Sequence, residues 1–207
     1  MIAGSEGLDR RVSCNMKCCC GGTDYTQMVN DDLKMIYYKI PRCASTSVEF
    51  FLSKYGFGKT KHVPKAMPGY FHFTFMRNPY SRVISLYRYV RNKTNRIIKG
   101  HLKRAGIDVM GLEFIDFMRL TSRISNHHWD SAYKFIPESG VDLIVKIDNM
   151  EGMDILIKRI GKKSKFPHVH KSHGTKRGPY YPVPMELIAE RYADDFRLFG
   201  YPVEERV

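Results

Sequence analysis

The chain has 207 residues, 43% of them hydrophobic, enough for one substantial core, and no Pro/Gly/Ser-rich linker or internal repeat divides it. No apolar run approaches the roughly 20 residues that cross a bilayer, so a helical membrane span is excluded along with a repeat array. The net charge of +13 points instead to anionic partners: a nucleotide, an acidic glycan or nucleic acid.

Residues 1–30 read as a poorly ordered leader without the hydrophobic segment of a signal peptide, and 31–207 as a single domain. The leader carries Cys14, Cys18, Cys19 and Cys20. Adjacent cysteines cannot easily turn their sulfurs to one tetrahedral ion, and the chain has no C-x-x-C…C-x-x-C spacing, so no metal site is expected. Zinc binding and acylation are the functional alternatives to a plain leader.

The apolar run Met35-Ile36-Tyr37-Tyr38 opens a strand over Met35–Ile40, and a helix over Thr46–Tyr55 follows it. The connection is Lys39-Ile40-Pro41-Arg42-Cys43-Ala44-Ser45-Thr46-Ser47. Backbone N–H groups at a helix start face an anion, small side chains let an oxyanion come close, Ser45, Thr46 and Ser47 add hydroxyl donors, and Arg42 brings a fixed positive charge. Cys43 fills space in this loop. Beyond the helix, Gly58-Lys59-Thr60 looks like the end of a nucleotide kinase phosphate loop, but Ser53 stands where the earlier glycine is required, and the tripeptide follows a helix instead of a strand.

A second strand, Tyr70–Met76, ends at Arg77, where Asn78-Pro79 caps a helix over Pro79–Lys93. Further helices are predicted at Gly111–Ser122, Met150–Ile160 and Met185–Phe199, and a third strand at Val141–Ile147. Strands alternating with helices make an α/β fold with a parallel sheet, and ligand sites in such sheets lie beyond the carboxyl ends of the strands. Arg42 and Arg77 both fall there. Two basic blocks stand out: Arg82, Arg88, Arg91, Lys93, Arg96, Lys99, Lys103 and Arg104, then Lys158, Arg159, Lys162, Lys163, Lys165, Lys171, Lys176 and Arg177. Each is either a solvated face or a surface for polyanions.

These two strand-loop-helix junctions resemble the sulfotransferases that use 3′-phosphoadenosine-5′-phosphosulfate (PAPS), in particular the carbohydrate branch called sulfotransferase family 2. In that family a loop of the form P-K-x-A-S-T-S cradles the 5′-phosphosulfate. A second strand holds the 3′-phosphate; it ends in Arg, Asp or Asn, Pro, an aromatic, any residue, Arg, two apolar residues and Ser. Similar also are Phe114-Ile115-Asp116-Phe117, the pair His128-Trp129 ahead of Val141 to Lys146, and the ending Tyr192 to Tyr201. The resemblance implies a P-loop-like three-layer sandwich, a central parallel sheet flanked by helices. It implies PAPS as co-substrate, with adenosine 3′,5′-bisphosphate as product, and a carbohydrate or other hydroxyl acceptor, acidic ones included, with an amine less favoured. No nucleic-acid partner is expected. Acceptor contacts would come from the variable loops Lys93–Val109 and Phe166–Pro184.

Carried over residue by residue, Arg42 to Ser47 hold the phosphosulfate, and Arg77 and Ser85 hold the 3′-phosphate. Lys176 and Arg177, in the basic glycine-containing loop Lys171–Tyr180, would close over the nucleotide. Arg42 stands where the family usually has lysine; a guanidinium grips phosphate oxygens but donates no proton at neutral pH, so its help is electrostatic. For the base that deprotonates the acceptor, the candidates are His62, His72, His127, His128 and Glu49. His62 is preferred, because Lys61–Ala66 resembles the region where heparan sulfate 2-O-sulfotransferases keep their catalytic histidine, and an imidazole suits a sugar hydroxyl. The family's animal members are Golgi type II membrane proteins; this chain reads as cytoplasmic, or as lumenal if it lacks its native anchor. Against this reading stand a nucleic-acid-binding module built on the basic blocks with Tyr87, Tyr89 and Tyr133, and the nucleotide kinase.

Overall fold

A computed structural model describes residues 27–60, 67–91, 102, 108, 110–123, 125–161, 166 and 184–203. Strands β1 (Gln27–Asn30), β2 (Met35–Tyr38), β3 (Gly58–Thr60), β4 (Phe71–Met76) and β5 (Leu143–Lys146) form one sheet in the order β3-β1-β2-β4-β5. The helices are α1 (Ser45–Ser53), α2 (Pro79–Arg91), α3 (Phe114–Arg123), α4 (Met153–Ile160), α5 (Met185–Arg191) and α6 (Ala193–Leu198), with a 3-10 turn at Ala132–Phe135.

The three strands predicted from apolar runs pair in parallel, β2 with β4 and β4 with β5, as crossover helices require. The sheet as a whole is mixed, which corrects the expectation of a parallel one: β1 runs antiparallel to both β2 and β3. A tight turn makes the β1–β2 hairpin. Asn30 accepts the Leu33 N–H at 2.8 Å, Lys34 takes a left-handed φ of 52°, and the Asn30 amide donates to the Tyr55 carbonyl at 2.7 Å. Gln27 to Asn30 fell inside the stretch assigned to the leader, so the folded part begins earlier than residue 31. The four Cys of the leader lie outside the described residues. Gly58-Lys59-Thr60 is an edge strand, not a phosphate loop, which removes the kinase reading's only feature.

Period-two alternation sends Met35 and Tyr37, Phe73 and Phe75, and Leu143 and Val145 to one face of the sheet. There they pack against Val48, Phe51 and Leu52 of α1 and Met153, Leu156 and Ile160 of α4. Fully burying each such side chain contributes about 1.5–3 kcal/mol. The start of α4 is set by close approach: a Cβ on Gly152 would meet the Ile144 carbonyl at 3.0 Å, and its φ is 83°. A second core joins Val83, Leu86, Tyr87 and Val90 of α2 to Phe114, Phe117 and Met118 of α3, with Trp129, Ile188, Tyr192 and Phe196. The predicted helix over Met185–Phe199 is broken at Tyr192, whose φ, ψ of −111°, 25° separate α5 from α6 while its hydroxyl donates to the Trp129 carbonyl at 2.7 Å. A third, smaller cluster of Ile40, Cys43, Met76, Ala132, Phe135 and Phe199 packs around residues at the carboxyl ends of β2 and β4. It backs the two junctions singled out in the sequence.

Candidate functional site

The loop between β2 and α1 holds two non-glycine residues in left-handed backbone, Arg42 at φ 69° and Ala44 at φ 52°. Each costs of order 1–3 kcal/mol, and such strain persists only where the surroundings dictate it. Three contacts dictate it here. The Cys43 side chain is fully buried with its Sγ 3.8 Å from Met76 Sδ, its N–H turns back to the Ile40 carbonyl at 3.3 Å, and Arg82 Nε donates to the Pro41 carbonyl at 3.1 Å. Cys43 therefore faces the core, and burial pushes its thiol pKa up, away from reactivity. After Ala44, helix α1 starts without a side-chain cap and without an acidic residue in its first turn. Its opening N–H groups are left for an anion. Ser45 is half-buried beside them, Thr46 is exposed, and Ser47 is buried.

Arg42 crosses from this loop to α2. Its Nη2 donates to Ser85 Oγ at 3.0 Å, its Cζ lies 4.1 Å from the centre of the Tyr89 ring, and its Nε is buried with no partner among the described residues. Burial lowers the Arg42 pKa, and the nearby charges of Arg77 and Arg82 act in the same direction. An anion beside it would act in the opposite direction, favouring the charged form. The residues assigned from the sequence to opposite ends of a nucleotide, Arg42 and Ser85, thus meet directly in this structure.

Arg77 sits at the end of β4, half-buried, where the chain turns into α2. The turn is held from several sides. Asp148 Oδ2 accepts the Asn78 N–H at 2.6 Å and the Tyr201 hydroxyl at 3.1 Å, and the same hydroxyl lies 3.2 Å from the Met76 carbonyl. Asn78 caps α2 by accepting the Tyr80 N–H at 2.9 Å. Asp148 and Tyr201 were not singled out as site residues. Nothing local marks Asp148, since its partner Asn78 is 70 residues away.

Arg82 corrects a second expectation. Grouped with the basic block, it is instead 2% exposed, donating to Pro41 and, through Nη2, to the Asp130 carbonyl at 2.8 Å, with Nη1 3.5 Å from Asp195. Asp195, fully buried, also accepts the N–H groups of Ala132 and Tyr133 at 2.8 and 3.1 Å. The sequence did hold a signal: Arg82 falls on the apolar stripe Pro79, Val83, Leu86, Tyr87, Val90 of its helix, where a charge must find a partner.

Of the candidate bases, His62 lies outside the described residues, as do Lys176 and Arg177. His72 is tied into the sheet, Nδ1 to the Tyr38 hydroxyl at 2.9 Å and Nε2 to the Met67 carbonyl at 3.2 Å, which is a structural role. Glu49 pairs with Lys39 at 2.5 Å and Lys59 at 2.6 Å; burial pushes its pKa up, but the two lysines outweigh it, and the net shift is downward. Such a carboxylate is a poor base. His127 and His128 stand beside the loop, their ring centres 3.7 Å apart and His128 5.7 Å from the Tyr89 ring. Burial, then the charges of His127, Arg42 and Lys39, lower the His128 pKa to about 3. Among the described residues no three His, Cys, Asp or Glu side chains form a group that could hold a metal ion. No helix among them is long and apolar enough to cross a membrane.

The chain is 28% identical over 163 residues to a protein of Danio rerio named Carbohydrate sulfotransferase 14, a match covering 65% of this chain and 44% of that protein. The chain thus aligns to less than half the length of this relative. No solved structure matches. The sequence profile of the Sulfotransferase family matches residues 51–202, from within α1 to the end of the described fold, and the chain belongs to that family.

Proposed function

We propose that this protein moves the sulfuryl group of PAPS to a hydroxyl, less readily an amine, of a carbohydrate acceptor, releasing adenosine 3′,5′-bisphosphate. The observation that carries this reading is the uncapped start of α1, preceded by left-handed Arg42 and Ala44, with the buried, unpartnered Nε of Arg42 beside it. That arrangement suits a phosphosulfate: Ser45, Thr46 and Ser47 with their N–H groups orient it, and Arg42 neutralises charge gathering on the leaving phosphate. Cys43 and Ala44 shape the loop. Arg77 and Ser85 take the 3′-phosphate, Lys176 and Arg177 cover the nucleotide, and His62 removes the acceptor proton. The finer fold is a P-loop-like three-layer sandwich with helices on both faces of the sheet. The name of the Danio rerio relative favours a carbohydrate among acceptors.

Incubating the full chain with PAPS carrying labelled sulfate and a panel of polysaccharides with free hydroxyls should yield labelled glycan in the absence of added metal. Arg77→Ala should weaken bisphosphate binding by roughly 2 kcal/mol, the scale of a lost charge-assisted hydrogen bond. Absence of both transfer and bisphosphate binding, together with a salt-dependent shift of nucleic acid, would overturn the proposal in favour of the binding module.

A further inference from the structure

We propose that Tyr89 is the positioning residue for Arg42, a ring face that fixes the guanidinium while leaving its N–H edge for a phosphate oxygen. The inference rests on the reading of Arg42 as the group beside the leaving phosphate. Ser85 and Tyr89 stand one turn apart on α2 and so share a face of the helix. Together they form a cradle across the loop. With Cζ 4.1 Å from the ring centre, the guanidinium lies over Tyr89 within cation–π range, and a planar guanidinium stacked there directs its hydrogen bonds within its own plane. One in-plane donor is taken by Ser85 Oγ at 3.0 Å, and another, Nε–H, is buried without an acceptor. The ring therefore holds the cation without consuming a donor. The His128 ring lies beside it, its centre 5.7 Å from that of Tyr89.

The pairing also accounts for arginine where the resemblance gives lysine. A long side chain loses rotamer freedom when it grips a ligand, and holding it beforehand reduces that loss. A planar guanidinium can be held on a ring face; an ammonium is a point charge with no plane to stack. In this chain Arg42 and Tyr89 are a matched pair.

The test is a double-mutant cycle on the full chain, reading PAPS turnover at saturating donor alongside adenosine 3′,5′-bisphosphate affinity by calorimetry. Tyr89→Leu should lower turnover about fivefold, within the range of one cation–π contact, and change bisphosphate affinity by less than about twofold. Tyr89→Phe, which keeps the ring and loses the hydroxyl, should restore turnover. In an Arg42→Ala background, Tyr89→Leu should have no further effect. Circular dichroism melts of every variant show whether the fold is retained. Tyr89→Phe as impaired as Tyr89→Leu, or losses that multiply in the double variant, would overturn the inference while leaving the sulfotransferase reading intact. A wild-type chain that neither binds the bisphosphate nor transfers sulfate overturns both.

Discussion

At the scale of single residues, burial decides what a charge does. Arg82 and Arg42 are both arginines near one loop, yet Arg82 has its carbonyl and carboxylate partners within the protein and Arg42 keeps a buried donor unpaired. Removing the first should cost stability. Arg82→Met leaves Asp195 buried without its cation, and chemical denaturation should show a loss of roughly 3 kcal/mol. A loss below about 1 kcal/mol would mean that the Ala132 and Tyr133 N–H groups satisfy Asp195 unaided. The histidines divide on the same principle. An imidazole with its pKa near 3 accepts a proton poorly, so His128→Ala should keep turnover, while His62→Ala should lower it about 10²-fold with bisphosphate affinity unchanged. The opposite pattern assigns the base to His128.

At the scale of elements, the β4–α2 junction depends on a loop from another part of the sheet. The Asp148 carboxylate follows β5 and holds the Asn78 N–H, fixing the turn that presents Arg77. Two effects oppose each other in Asp148→Ala. Deleting an acidic charge near an anion site tightens binding, and releasing the turn loosens it. Asp148 is exposed, so its charge is well screened, and positioning should prevail. We therefore expect Asp148→Ala to weaken bisphosphate binding about fivefold and Asp148→Asn, which keeps an acceptor, to bind no more weakly than wild type. Calorimetry on the two variants checks this; tighter binding by Asp148→Ala would show that charge outweighs geometry.

For the molecule as a whole, an imidazole buried among cations beyond the carboxyl end of β2 makes stability depend on pH. His128 lies among Lys39, Arg42 and His127, and burial with these charges holds it neutral down to about pH 3. In the unfolded chain the same imidazole takes a proton below about 6.5. The unfolded state thus binds more protons between these values, so this contribution is present above pH 6.5 and is lost as pH falls toward 3. The melting temperature should drop between pH 7 and pH 5, and His128→Gln should flatten that drop. Equal slopes for the two proteins would remove His128 from the account.

The sequence by itself determined what is encoded locally: the apolar runs of β2, β4 and β5, the small-residue start of α1, the Asn78-Pro79 cap, and hence both junctions at the strand ends. Each of those signals lies within a few residues. Tertiary structure alone decided the antiparallel edge, since Gln27–Asn30 has only two inward side chains and Gly58–Thr60 has none that is buried. It decided the fate of Arg82, which lies over a hundred residues from Asp195, and the meeting of Arg42 with Ser85 and Tyr89. The break at Tyr192 likewise falls where its hydroxyl meets the Trp129 carbonyl, 63 residues away. The physical reason is common to all of these. Local periodicity reports which face of an element is apolar, but the partner of a buried polar group is chosen only when distant elements close around it.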